Sequence, residues 1–193
     1  MPTGQSTSTK TKQENVYEIN RGTTAEDILN IFRGWLGLSR ANGSHKIIID
    51  TYNSYLPHPR GYAVSYTDDY CATTVSAVFI KANAVDLIGG IECSVERIIE
   101  DCFKPINIWI EDEKIVPIAG DIICFNWGNS SVHNTGWADH IGIVEYVEGN
   151  IIHTIEGNTS GGVVARKKYA VGYSEIRGYA RPHYGSDSST TAS

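Results

Sequence analysis

The spacing of apolar residues changes period near Pro117, and that change constrains the fold more than any other feature of the chain. Before it, apolar residues recur at helical intervals: Ile28, Ile31, Phe32 and Trp35 in one stretch, and Val75, Val78, Phe79, Ala82 and Val85 in another. After it, five segments read as strands: 121–127, 140–147, 151–156, 162–169 and 175–182. Helices first and antiparallel strands afterwards is an α+β pattern, with N-terminal helices packed on a C-terminal antiparallel β-sheet.

Local signals punctuate this pattern. Thr23-Thr24 followed by Glu26 and Asp27 is a helix start, and Gly37 is a plausible stop. Ile47–Asn53 suits a short helix or a strand, and sequence does not choose. Pro57, Pro59 and Gly61 then make a loop that delivers the chain to Cys71. The helix from Cys71 to about Leu87 ends at Gly89-Gly90, and a shorter one is expected across 94–102. Residues 1–21 are polar and read as a flexible N-terminal arm, and 185–193 as a flexible tail or linker. That leaves 22–184 as one domain, a size at which a single core suffices.

Charge narrows the partners. A net charge of −6 and a pI near 5.5 lack the basic footprint of a nucleic-acid-binding protein. No run approaches the roughly 18 apolar residues of a membrane span, and the first residues lack the apolar stretch of a signal peptide. Of the four cysteines, Cys124 lies in an apolar run and reads as a buried thiol. Cys93 and Cys102 could pair, but nothing in the sequence supports it. Six scattered histidines offer no zinc spacing, so neither metal nor cofactor is expected.

Chemistry concentrates in three short segments. Cys71, in Asp-Asp-Tyr-Cys-Ala-Thr-Thr, stands at a predicted helix N-terminus, where the macrodipole favours thiolate over thiol. His140 opens a strand in Ala-Asp-His-Ile-Gly, and Glu156 and Asn158 close another in Ile-Glu-Gly-Asn. The two strands form a hairpin in which His140, Thr154, Glu156 and Asn158 share the even-numbered face. A three-residue loop, Glu148-Gly149-Asn150, pairs Val147 with Ile151 and places His140 opposite Asn158, with Glu156 diagonal to it. A two-residue loop would separate His140 from Glu156, so the catalytic reading makes a demand on the turn.

In that reading Cys71 attacks an amide carbonyl, His140 moves the proton, and Glu156 or Asn158 orients the ring. The Cys71 N–H is one oxyanion donor. The second is unassigned, with Tyr66 and Tyr70 nearby. His153 has the wrong parity, and His133 lies in a loop with no strand after it. Tyr70, Trp127 and Trp137 are candidates to bind substrate, with Tyr146 beside them, although aromatic residues near loops more often pack. His45 and Asp50 read as structural. The plain alternative for Cys71 is a buried core cysteine, and for Glu156 an ordinary strand carboxylate.

These segments, with Gly120-Asp121-Ile-Ile and the upstream Asn42-Gly-Ser-His45…Ile-Ile-Asp50-Thr-Tyr-Asn53, resemble the CHAP domain, the cysteine, histidine-dependent amidohydrolase/peptidase family of the NlpC/P60, papain-like superfamily. The resemblance spans about residues 22–184. It implies hydrolysis of a peptidoglycan amide bond, as an amidase or an endopeptidase, with Cys71 as nucleophile, His140 as base, Glu156 as third member and Asn158 at the site. It further implies a phage or prophage lysin acting as a monomer, made in the cytoplasm without a signal peptide and reaching the wall after release. Some members bind calcium in an Asp-rich loop before the cysteine. Here only Asp68-Asp69 stand there, so calcium is unsupported. The competing reading is a non-catalytic papain-like module that binds wall peptide or builds a phage particle. A third keeps the enzyme but turns it to small γ-glutamyl amides.

Overall fold

In a computed structural model that describes residues 22–128 and 136–186, helices come first and strands after. The expected arm 1–21, most of the expected tail and His133 lie outside the described residues. Helix α1 (Ala25–Arg33) begins where the capping signal placed it. The Thr24 hydroxyl accepts from the Asp27 N–H, and the Asp27 carboxylate accepts from the Thr24 N–H. Its helical turns end at Gly34, three residues before the expected stop at Gly37. The ambiguous Ile47 segment is helix α2 (Lys46–Asn53), burying Ile48, Ile49 and Tyr52. Helix α3 (Cys71–Lys81) stops earlier than periodicity suggested, because Asn83 turns into the left-handed region and a short 3₁₀ turn follows at Val85–Ile88. Helix α4 (Val95–Ile98) widens into a π turn over Ile99–Phe103.

Among the described residues six antiparallel strands follow: β1 (Trp109–Ile110), β2 (Ile122–Phe125), β3 (His140–Glu148), β4 (Ile151–Thr159), β5 (Val163–Ala170) and β6 (Ile176–Ala180). Their spatial order is β1-β6-β2-β3-β4-β5. The two-residue β1 had no readable periodicity. One sheet face packs on the helices through Ile122, Cys124, Ile141, Ile143 and Ile155. The other carries a smaller cluster of Ile123, Phe125, Val144, Ile152, Ile176 and Tyr179. Helix α3 is buried along its length from Cys71 to Phe79. It approaches β4 so closely that a β-carbon on Gly157 would lie 2.1 Å from the Thr74 hydroxyl.

The two ends of the domain meet where the Gly185 N–H donates to the Thr23 carbonyl, so ordered structure continues through the first residue of the expected tail. All four cysteines are free, and Cys93 and Cys102 are not paired. Burial pushes the Cys102 thiol up to about 11 and the Cys124 thiol well above its usual range.

Candidate functional site

The β3–β4 hairpin corrects the expected turn and still delivers the expected partners. The loop has two residues, Gly149-Asn150, with Gly149 at φ 59 in the position where a type II′ turn requires glycine. Next to it, Glu148 pairs with Ile151 and Tyr146 with His153, an odd register that alone would put His140 and Glu156 on opposite faces. A β-bulge at Glu145 absorbs one residue. Beyond it Val144 pairs with Thr154 and Gly142 with Glu156, the even register that the site needs. The bulge is tied down by charge. The buried Glu145 carboxylate accepts from Arg166 Nε and Nη2 at 2.7 and 2.9 Å and from Arg33 Nε at 2.7 Å. The Arg166 bonds, ahead of those from Arg33, hold this carboxyl below its ordinary range.

His140 is thereby brought to Glu156. Its Nε2 lies 2.7 Å from Glu156 Oε2, and the carboxylate is almost wholly buried. Thr154, two residues back on the same face, donates to Glu156 Oε1 at 2.5 Å. Tyr169 reaches across from β5 and donates to Oε2 at 3.2 Å. With Nε2 engaged, Nδ1 is the ring nitrogen left for Cys71, whose thiol lies near enough to raise the imidazole's hold on its proton. The thiol comes from the other side of the sheet. Helix α3 packs on the apolar face of β3 and β4, and only its first residue reaches His140, with Sγ 3.9 Å from the Asp139 carbonyl.

The electrostatics favour a protonated ring. Burial pulls the imidazolium down, but hydrogen bonds to Cys71 and Glu156, with their charges, outweigh it and leave His140 at about 10. Burial, followed by the adjacent Glu156 charge, raises the Tyr169 hydroxyl far above its usual range, so it stays a donor. Trp127 covers the ring at 5.6 Å between centroids and stacks on Phe125 at 4.6 Å. Together, His140, Glu156, Trp127, Tyr169, Asn158 and Lys167 contribute to the lining of an open cavity of about 390 Å³.

The remaining candidates separate. Asn158 shares the cavity with His140 but is hydrogen-bonded elsewhere. Its amide donates to Asp69 Oδ1 at 2.9 Å, latching β4 to the loop that precedes Cys71, and its backbone sits at φ 53. Tyr70 is fully buried and donates its hydroxyl to the Gly162 carbonyl, so it packs beneath the site and offers no surface to substrate. Tyr66 donates to Asp50. A phenol has one proton, so neither tyrosine is free to be the second oxyanion donor. Trp137 is exposed, outside the residues that line the cavity, and Tyr146 stacks on His153 at the turn half of the hairpin. His45 is buried against the Tyr66 carbonyl at 2.8 Å, which is a structural role.

Sequence reasoning missed the groups that hold this site together. Arg40 donates to the carbonyls of Tyr66 and Asp68 and clamps the loop ahead of Cys71. Tyr169 depended on a β4–β5 register that no turn signal fixed. Thr154 had the right parity and was readable. Asp68 accepts from the Tyr62 hydroxyl and the Ser65 N–H, Asp69 from Asn158, and among the described residues no three acidic, histidine or cysteine side chains converge.

Comparison with known proteins agrees with the geometry. The CHAP domain family model matches residues 61–158, half of the chain and nearly the whole stretch from the loop before Cys71 to Asn158. The chain belongs to the CHAP domain family. No curated protein matches it. Among solved structures it is similar to Ly7917 (18% identity, TM-score 0.44, covering 83% of this chain and 62% of that one). It is also similar to Ly7917 with the hydrolyzing product of MDP (19%, 0.45, 82% and 63%) and to an NlpC/P60 family protein from Bacillus cereus ATCC 10987 (13%, 0.46, 83% and 41%). The chain thus spans about three-fifths of the length of Ly7917.

Proposed function

We propose that this domain hydrolyses an amide bond of bacterial peptidoglycan through a cysteine acyl-enzyme. The observation that carries the reading is His140, hydrogen-bonded through Nε2 to buried Glu156, with the Cys71 thiol beside it at the start of α3, 3.9 Å from the adjoining Asp139 carbonyl. Membership of the CHAP family supplies the substrate class.

In this mechanism the Cys71 proton passes to His140 Nδ1 and the sulfur attacks the carbonyl carbon. The developing oxyanion lies by the first-turn N–H groups of α3, which have no acceptor within the helix. The imidazolium then protonates the leaving amine. A water, activated by the neutral ring, cleaves the thioester and restores the thiol. Glu156 holds the ring orientation and balances its charge, while Thr154 and Tyr169 hold Glu156.

The finer reading is a lysin of phage or prophage type, an N-acetylmuramoyl-L-alanine amidase or a peptidoglycan endopeptidase. It works as a monomer on the wall after release from the cytoplasm, without calcium. Purified walls treated with wild-type and Cys71→Ala protein test it. Clearing by the wild type alone is expected, and equal clearing by both would sink it. Mass spectrometry of the fragments would locate the freed amine and distinguish amidase from endopeptidase. Wall retention by both proteins, with no amine released, would favour the non-catalytic module.

A further inference from the structure

The cavity beside His140 contains one cation that the chemistry above does not use. Lys167 stands on β5 directly across from Thr154 and on the same sheet face as Glu156. Among the described residues its ammonium has neither ion pair nor hydrogen bond. By contrast Arg33, Arg60, Arg166, Arg177 and Arg181 each face a carboxylate. The carboxylate that shares the cavity, Glu156, is already engaged by His140, Thr154 and Tyr169. Asn158, Thr159 and Ser160 make the rest of that wall polar. In a chain of net charge −6, an unpaired and half-buried lysine in the cavity is a local exception.

We propose that Lys167 binds a carboxylate of the substrate peptide, and so makes the site selective for stem peptides whose side carboxylate is free over those in which it is a carboxamide. The proposal rests on the hydrolase reading for its substrate class. The scale is suitable: about 390 Å³ is within the range of small-ligand sites. Two strand spacings, about 10 Å, separate β3 from β5. That is the reach of about three residues of extended peptide leading away from His140. Trp127 and Tyr169 would flank the peptide while Lys167 reads its charge.

The test uses Cys71→Ala protein, which can bind without cleaving. It is titrated by calorimetry with two synthetic γ-glutamyl stem peptides that differ only in carboxylate or carboxamide at the glutamyl α position. The expected result is roughly tenfold tighter binding of the carboxylate, the scale of one charge-assisted hydrogen bond. Adding Lys167→Gln brings the ratio to near one, and Lys167→Arg keeps most of it. Lys168→Gln, on the opposite face, keeps all of it. A third peptide, amidated only at its C-terminus, tells a terminal carboxylate from the side one, and loss of affinity there alone assigns the contact to the terminus and overturns the side-group selectivity. Equal binding of the first pair, binding of neither, or discrimination that survives Lys167→Gln also overturns it. So does a shifted pH profile with an unchanged ratio, which would make Lys167 a partner of Glu156 instead. Discrimination in binding with no cleavage by the protein that retains Cys71 would sink the hydrolase reading and leave the carboxylate site standing.

Discussion

Gly142 stands directly across the β3–β4 ladder from Glu156, and a β-carbon on it would lie 2.5 Å from Glu156 Cγ. The absent side chain is what lets the carboxylate lie over β3 and reach His140. Gly142→Ala is therefore expected to push Glu156 off the ring. We expect kcat/KM on wall fragments to fall about 100-fold, while overpacking costs about 1–3 kcal/mol of stability. Kinetics and thermal unfolding on the same variant check this. Unchanged kcat would show that the carboxylate does not act through the ring.

Glu156 and Asn158 should separate by magnitude. Glu156→Ala removes the partner of the imidazole and is expected to lower kcat about 10³-fold or more, in line with the loss of an orienting group. Asn158→Ala loses the latch to Asp69 and the longer bond from Arg40, and puts alanine, which tolerates the left-handed region less well than asparagine, at φ 53, at about 1 kcal/mol. Asn158→Gly should recover the stability and not the latch. Steady-state rates for the three variants would order them, and an Asn158→Ala defect as deep as that of Glu156→Ala would contradict the assignment.

His140 gives a pH signature with a definite sign. Its folded value, about 10, is above the 6.5 of an ordinary histidine. The protonated ring thus stabilises the fold fully below about pH 6.5, and that contribution is lost as pH rises through 10. Glu156→Gln removes one of the groups that raise it. The alkaline limb of Cys71 alkylation by iodoacetamide should fall near pH 10 in the wild type and move to lower pH in Glu156→Gln. Identical limbs would refute the coupling.

Glu145 is expected to matter more than a strand carboxylate usually does. Glu145→Ala leaves Arg166 without its carboxylate, leaves Arg33 with Glu26 and Asn30, and frees the bulge. The cost is expected to be about 2 kcal/mol, below the 3–5 of a fully buried pair because the Arg166 side chain is 53% exposed. Arg166→Ala, which leaves Arg33 in place, should cost less. Chemical denaturation would measure both, and a larger loss in Arg166→Ala would contradict the shared anchoring.

Much of this was legible in the sequence because periodicity reports faces. Cys71 at a helix start, the even-numbered face of the hairpin and the antiparallel sheet all follow from spacing. The turn did not, because Glu148-Gly149-Asn150 suits two loop lengths. The bulge that restores the register has no periodic signal of its own. Its one trace is Glu145, a charged residue in the odd-numbered row that otherwise holds Ile141, Ile143 and Val147. Tyr70 and Asn158 share a feature that spacing does not report. Neighbours in sequence at a site, they turn their side chains to the loop and strand that carry the site. Arg40 and Tyr169 act across long sequence separations, where one chain gives no register.

The central claim is that Cys71 is acylated, and single-turnover mass spectrometry addresses it most directly. Protein mixed with wall fragments, quenched in acid and digested should carry the acyl part of the fragment on the peptide containing Cys71. The amine should be released in equal amount, with neither product from Cys71→Ala. Amine release by Cys71→Ala at the wild-type rate, with no adduct on the wild type, would contradict the account.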